Sequence, residues 1–281
     1  MSRTVYVNGA FVPEEEAKIS VFDRGFLFAD AVYEVTAVMD GKLLEYDGHM
    51  ARLERSLGEL EMEMPVDRAT MLELHRELVK RNNIENGCVY LQVTRGVADR
   101  NFVFPKDTPE TLVMFTQTKT LTEPKSGLKV ISAPDIRWGR RDIKTVQLLP
   151  ASLSKMAAKK QGKDDTWLVE DGFVTEGSSN NTYIVTEDGR IITRQLSNSI
   201  LPGITRAAVL KLVAEQGLEI EERAFTIEEA KKAKEAFMTS ATCFVWPVVE
   251  IDGTELSGGQ PGPLAVRLNE IYIEEARKNA I

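Results

Sequence analysis

Apolar and polar positions alternate at the start of the chain. Residues 4–7 and 10–12 flank Asn8-Gly9, and residues 32–39 and 42–46 flank Asp40-Gly41, so two β-hairpins are predicted. The period then lengthens. Met50, Leu53, Leu57 and Leu60 share one face of a helix over 48–60, and Met71, Leu74 and Leu78 share one face of a helix over 67–81. Residues 88–94 and 111–116 return to β-rich composition. A polar stretch with Pro124 and Gly127 follows and reads as a linker. Beyond it the pattern predicts a strand at 129–132 and a helix near 151–161. A strand meander over 166–170, 173–176, 182–185 and 190–193 comes next, punctuated by Asp171-Gly172 and Asp188-Gly189, then helices over 204–216, 227–234 and 265–278. Sheet and helix mix without regular βαβ alternation. The expected fold is therefore α+β in two domains: 1–119, a linker at 120–128, and a larger domain at 129–281.

Length agrees, since 281 residues fit roughly two domains of about 150 residues. Acidic residues number 43 and basic residues 35, for a net charge of −8. That balance argues against a nucleic-acid backbone or an anionic membrane as the main partner, because both require clustered cations. The first residues lack an apolar signal core, and no run of about 18 apolar residues occurs, so a cytoplasmic protein with reduced Cys88 and Cys243 is expected.

Only two histidines, His49 and His75, are present, and neither CxxC nor HExxH spacing occurs, so a zinc site or a histidine-based triad has little to build on. Both histidines sit in charge-rich helical segments and read as solvated-face residues. Any acid–base group is then a lysine, a tyrosine or a carboxylate, or the chemistry belongs to a cofactor.

Lys144, in RWGRRDIKTVQLLP, reads as a strand residue; alone it fits a solvated edge lysine or a nucleophilic amine. Arg140 and Arg141 nearby would favour the neutral amine, the form that condenses with an aldehyde. Glu176, before Gly177-Ser178-Ser179-Asn180-Asn181, is either the lead-in to a polar turn or a carboxylate at a cavity wall, able to keep a pyridine nitrogen protonated. Pro202-Gly203 breaks the chain ahead of a helix whose first-turn amides and Thr205 hydroxyl suit either a plain N-terminus or a phosphate seat. Residues 238–242, MTSAT, and Arg52 could add donors to the same anion.

Taken in order, DRGFLFADAVYEV, HMARL, VTRG, RWGRRDIK, VTEGSSNN, LPGITR and MTSAT resemble the fold-type IV pyridoxal-phosphate aminotransferases along essentially the whole chain. The resemblance implies pyridoxal 5′-phosphate as cofactor, with its lysine in the larger domain. Lys144 matches the Schiff-base lysine that also shuttles the substrate proton, and Glu176 matches the acid paired with the pyridine nitrogen. Arg52, Ile204, Thr205, Ser240 and Ala241 match the phosphate cup, and Leu201 matches the apolar side chain against the ring. It also implies a homodimer with shared active sites.

Within the family the motifs look closest to D-amino-acid aminotransferases. Tyr33 and Arg100 match residues that bind the substrate α-carboxylate, the arginine reaching into the partner subunit's site, and Thr242 is placed with them. The histidine of that carboxylate trap is replaced by Phe102. The expected reaction is ping-pong transfer of an amino group between a D-amino acid, such as D-alanine or D-glutamate, and a 2-oxo acid. Phe102, Phe244 and Trp246 would broaden or alter the pocket. The alternatives are an (R)-selective primary-amine or branched-chain L-amino-acid transaminase, and an aminodeoxychorismate-type lyase.

Overall fold

The computed structural model describes residues 2–121 and 126–281; residues 122–125, within the expected linker, lie outside the described residues. The chain divides into two compact units. One comprises Met1–Leu121 together with Ile143–Gln147 and Asn279–Ile281, and the other comprises Thr122–Asp142 and Leu148–Lys278. By packing, therefore, the short segment around Lys144 belongs to the first unit, although it was expected in the second.

The first unit is built from β1 (Thr4–Val7), β2 (Ala10–Pro13), α1 (Arg24–Phe28), β3 (Ala31–Met39), β4 (Lys42–Leu43), α2 (Tyr46–Glu59), α3 (Arg68–Arg81), β5 (Gly87–Thr94) and β6 (Thr111–Thr118). Its six strands form a fully antiparallel sheet in the order β2-β1-β6-β5-β3-β4. Asn8-Gly9 and Asp40-Gly41 both take positive φ at both positions, the conformation that a two-residue hairpin turn needs. Met50, Leu53, Leu57, Met71 and Leu78 are buried with Val89, Leu91 and Val93 of the sheet, as their helical spacing predicts. The second hairpin is shorter than predicted, because Glu45 turns left-handed at φ 51° and α2 begins at Tyr46. Five-residue α1 is too short to leave a periodic signature. Asp23 caps it by accepting from Gly25 N at 2.8 Å.

Helices α2 and α3 overturn one expectation. His49 and His75 are 2 % and 0 % exposed, not solvated. His75 lies four residues after Met71 and three before Leu78, inside the apolar stripe itself.

The second unit contains β7 (Leu128–Pro134), α4 (Leu149–Lys160), β8 (Asp165–Glu170), β9 (Phe173–Gly177), β10 (Asn181–Val185), β11 (Ile191–Thr193), α5 (Ile204–Glu215), β12 (Ile220–Glu222), α6 (Ile227–Ala230), β13 (Glu235–Ser240), β14 (Phe244–Ile251), β15 (Thr254–Glu255) and α7 (Pro263–Lys278). Its mixed sheet runs β12-β11-β10-β13-β14-β7-β8-β9, with β15 on β14. Val130, Trp167, Val174, Ile184, Phe225 and Val248 are among its core. Strand β10 is buried at every position, which fits a strand covered on both faces. The expected helix at 227–234 stops at Ala230. Strand β14 escaped the periodic pattern because it is a continuous apolar run interrupted by Pro247. Among the described residues no helix is long and apolar enough to cross a membrane.

Candidate functional site

In the first unit, the open edge of β3 organises the chemistry. Residues 143–147 lie along it: Val32 bridges Thr145, Tyr33 N donates to Lys144 O at 3.0 Å, and Val146 N donates to Ala31 O at 3.2 Å. Lys144 is therefore not in a strand, but in a short segment docked against one. Ser56 of α2 also takes part, its Oγ accepting from Lys144 N at 3.4 Å. The Lys144 Nζ stands 4.2 Å from the Tyr33 ring centroid. Tyr33 in turn stacks on Tyr90, and Tyr90 on Phe115, at centroid distances of 5.6 and 4.7 Å. Among the described residues, Nζ contacts that π-face without a carboxylate to pair with, a setting suited to an amine that must react.

Arginines 140 and 141 do not supply the expected cationic field as bare charges. Arg140 pairs with Asp142, and Arg141 pairs with Glu170 and Asp135.

On the other face of β3, Glu34 is buried and grips two residues of α2. Arg52 donates to it twice, Nε to Oε1 at 2.7 Å and Nη2 to Oε2 at 2.8 Å. His49 Nδ1 lies 2.7 Å from Oε2. Burial alone would raise the Glu34 carboxyl. The charge and hydrogen bonds of Arg52, with those of His49, outweigh it and hold the group far below the usual carboxylate range. Burial depresses His49, so the contact is best described as a neutral imidazole donating its Nδ1 proton, not as an ion pair. Arg52 is thereby aimed from within the fold, not left solvated.

The remaining substrate candidates of this unit lie elsewhere on it. Arg100 rests against Phe28 and Phe102, with its guanidinium 5.7 and 5.6 Å from their centroids, and Phe102 is 78 % exposed.

The second unit builds a wall around Asn181. Glu176, near the end of β9, is only 4 % exposed and takes three donors, leaving acceptor capacity on Oε1. Arg137 Nη1 donates to Oε1; Asn181 Nδ2 and Leu201 N donate to Oε2 at 3.0 and 3.1 Å. Burial pushes the carboxyl up, while the Arg137 charge and hydrogen bonds push it down; the net direction is upward. Arg137 is itself clamped by Asp135, through Nε at 2.9 Å and Nη2 at 2.7 Å. The polar run after Glu176 is likewise a scaffold and not a plain turn, because Ser178 and Asn180 donate to the buried Asp165.

Asn181 also donates to Leu201 O at 3.0 Å, and a Cβ on Gly203 would meet Asn181 Oδ1 at 2.1 Å. Gly203 is the N-cap of α5 and supplies no side chain, so the amides of Ile204 and Thr205 open the helix without a side-chain cap. Asn181 pairs with Thr239 across β10 and β13, which sets Ser240 and the Ala241–Thr242 turn beside the same wall. Asn181 thus ties Glu176, Leu201 and the start of α5 together, with Ser240 one residue beyond its partner in β13. A buried carboxylate acceptor and an uncapped helix N-terminus together fit a ligand bearing a ring N–H and a phosphate. Phe244, expected to reshape the pocket, is instead core: it is 1 % exposed and lies 5.3 Å from the Tyr272 ring.

Glu34, Arg137, Asp135 and Asn181 escaped the sequence reading. Only Glu34 left a usable signal there, as a charge on the inward-facing side of the alternating segment Val32–Val38.

A model of the amino-transferase class IV family matches residues 31–251. The chain is 38 % identical over 271 residues to the D-alanine aminotransferase of Staphylococcus haemolyticus, with 95 % of each chain covered. It is 37 % identical over 281 residues to the D-alanine aminotransferase of Staphylococcus aureus (strain N315), with 99 % of each covered. Among solved structures, a T.th. branched-chain amino acid aminotransferase complexed with N-(5'-phosphopyridoxyl)-L-glutamate matches with a TM-score of 0.89 at 27 % identity, covering 99 % of this chain and 95 % of that one.

Proposed function

The chain belongs to the class IV aminotransferases, and from that premise we propose a pyridoxal-phosphate-dependent D-amino-acid transaminase that passes the amino group of D-alanine or D-glutamate to a 2-oxo acid. The observation that carries this reading is the Lys144 amine, held by its backbone on the edge of β3 with Nζ over Tyr33 and no carboxylate partner among the described residues. When bound, the cofactor supplies an aldehyde for the amino group and a conjugated ring that delocalises the electron pair left at the substrate Cα.

The chain's own groups do the rest. Lys144 Nζ is the amine that would hold the cofactor's aldehyde carbon, and once free it would serve as the general base for the substrate Cα proton. Glu176, kept in place by Arg137, Asn181 and Leu201 N, would accept a hydrogen bond from the ring nitrogen and favour its protonated form. The amides of Ile204 and Thr205, with Ser240 and Ala241, would hold the phosphate, and Arg52 would add a charge oriented by Glu34. Leu201 would pack on the ring. Tyr33, Arg100 and Thr242 contact the substrate, with Phe102 standing beside its carboxylate. The exposed Phe26, Phe102, Val103 and Phe104 of the first unit, and Leu149, Leu153 and Met156 along α4 of the second, support a homodimer. A cytoplasmic location completes the reading.

Single-turnover rates with D-alanine, L-leucine and (R)-1-phenylethylamine test the assignment. D-Alanine is expected to react fastest. An inert D-alanine with active L-leucine would replace the reading by a branched-chain one. Lys144→Ala is expected to lose multiple-turnover activity by several orders of magnitude.

A further inference from the structure

The segment carrying Arg100 is fixed by an alternating ladder of cations and rings. Asp30 accepts from Nε of both Arg24 and Arg95 at 2.8 Å through the same oxygen. One carboxylate thus anchors two guanidinium groups and leaves an excess of positive charge. Aromatic faces take up that excess. Arg95 lies 3.6 Å from the Phe104 centroid, and Arg24 lies 5.6 Å from Phe104 and 4.4 Å from Phe28. Phe28 then meets Phe102 edge-to-face at 5.6 Å, and Arg100 rests against both. Arg24, which is 2 % exposed, also donates through Nη1 to the carbonyl of Asn101 at 2.6 Å, the residue next to Arg100. Arg95 ties the far end to the carbonyls of Leu60 and Glu61.

We infer that Arg24 and Phe28 are positioning residues for Arg100, holding its guanidinium ready for a substrate carboxylate in place of the hydrogen-bonding support that Phe102 cannot give. A free arginine side chain surrenders rotamer freedom each time it engages an anion; one already resting on two rings surrenders less. Arg24 is buried, where cation–π contacts are strongest, and it anchors the rings on which the exposed Arg100 rests. Phe102, too apolar to donate to a carboxylate, contributes its ring as a rest for Arg100. The inference rests on the reading of Arg100 as the carboxylate-binding residue, so the two must fail separately.

The test is steady-state kinetics of the cofactor-saturated enzyme with D-alanine, comparing Phe28→Leu, Phe28→Tyr, Phe104→Leu and Arg100→Met. Phe28→Leu removes one of the two rings under Arg100 and is expected to raise the KM for D-alanine about fivefold, with kcat within about twofold. Phe28→Tyr keeps the ring and is expected to restore a near wild-type KM. Phe104→Leu breaks the ladder at its half-exposed end, is expected to raise KM about threefold, and serves as the deciding variant if Phe28→Leu does not fold. Arg100→Met raising KM while both ladder variants keep the wild-type value overturns the inference. So does a loss in kcat without a rise in KM, which marks a merely structural role. An unchanged KM in Arg100→Met overturns instead the carboxylate reading on which the inference rests.

Discussion

Replacing Arg137 with methionine tests the electrostatics of Glu176, and it also removes two bonds to Asp135. The substitution removes the Nη1 donor to Oε1 and leaves Asn181 Nδ2 and Leu201 N on Oε2. Glu176 remains buried, so the upward pressure on its carboxyl persists while its main opposing charge is gone. Removing one partner of a buried pair costs on the order of 3–5 kcal/mol if the other must stay charged. The carboxyl has a cheaper route, which is to take up a proton. The sign follows from proton binding. Once its folded-state pKa is raised well above the unfolded value, the folded protein holds one more proton than the unfolded one, and stability falls as pH rises through that interval. The slope is about 1.4 kcal/mol per pH unit.

Urea unfolding of the cofactor-stripped protein at pH 5.5, 6.5 and 7.5 reads this slope. Arg137→Met is expected to lose stability more steeply with pH than wild type, by up to about 1.4 kcal/mol per pH unit. The double variant Arg137→Met/Glu176→Gln, in which the buried Asp135 still keeps Arg141 and Thr175 and only the Glu176 titration is removed, is expected to lose the Glu176 share of that slope. Parallel pH profiles for wild type and Arg137→Met would refute the reasoning, because Glu176 would then not depend on Arg137 for its charge.

Other outcomes follow from the same geometry. His75 is fully buried and its pKa is pushed down to about 4 by burial. The unfolded chain therefore protonates first as pH falls from about 6.5, and stability drops by on the order of 3 kcal/mol by pH 4; thermal melts of His75→Leu across that range are expected to show a flatter profile. Gly203→Ala places a Cβ 2.1 Å from Asn181 Oδ1, so Asn181 must shift, with a loss of about 1–3 kcal/mol in denaturant midpoints and weaker cofactor retention on gel filtration. On the proposed placement of Phe102 beside the substrate carboxylate, Phe102→His adds a hydrogen-bond donor; at about 1.5–3 kcal/mol per charge-assisted bond, a roughly tenfold lower KM for D-alanine is expected in steady-state assays.

The parts of the fold that follow from local chemistry were legible in the sequence. Asn8-Gly9, Asp40-Gly41 and Asp171-Gly172 announced their turns, and all three take the positive φ angles the turns require. Met50, Leu53 and Leu57 announced the buried face of α2. The histidines were misjudged because charged neighbours outweighed their phase. His75 shares the stripe of Met71 and Leu78, while His49 and Arg52 border the stripe of α2, and both face the one carboxylate on the inner side of β3. Lys144 and Glu176 could be named from motifs, but their supports could not. Arg137 bonds to Asp135 two residues away and to Glu176 thirty-nine residues on, and only the folded sheet brings the second pair together. Tyr33 and Lys144 likewise meet through strand-edge pairing, for which one-dimensional spacing carries no signal.

The central claim is that one amine, Lys144 Nζ, carries the cofactor. Borohydride reduction of the coloured enzyme, followed by peptide mapping, tests it directly. The account predicts loss of the absorbance, irreversible inactivation, and a pyridoxyl label on the peptide containing Lys144 alone. A label on another lysine, or full activity retained after reduction, would contradict it.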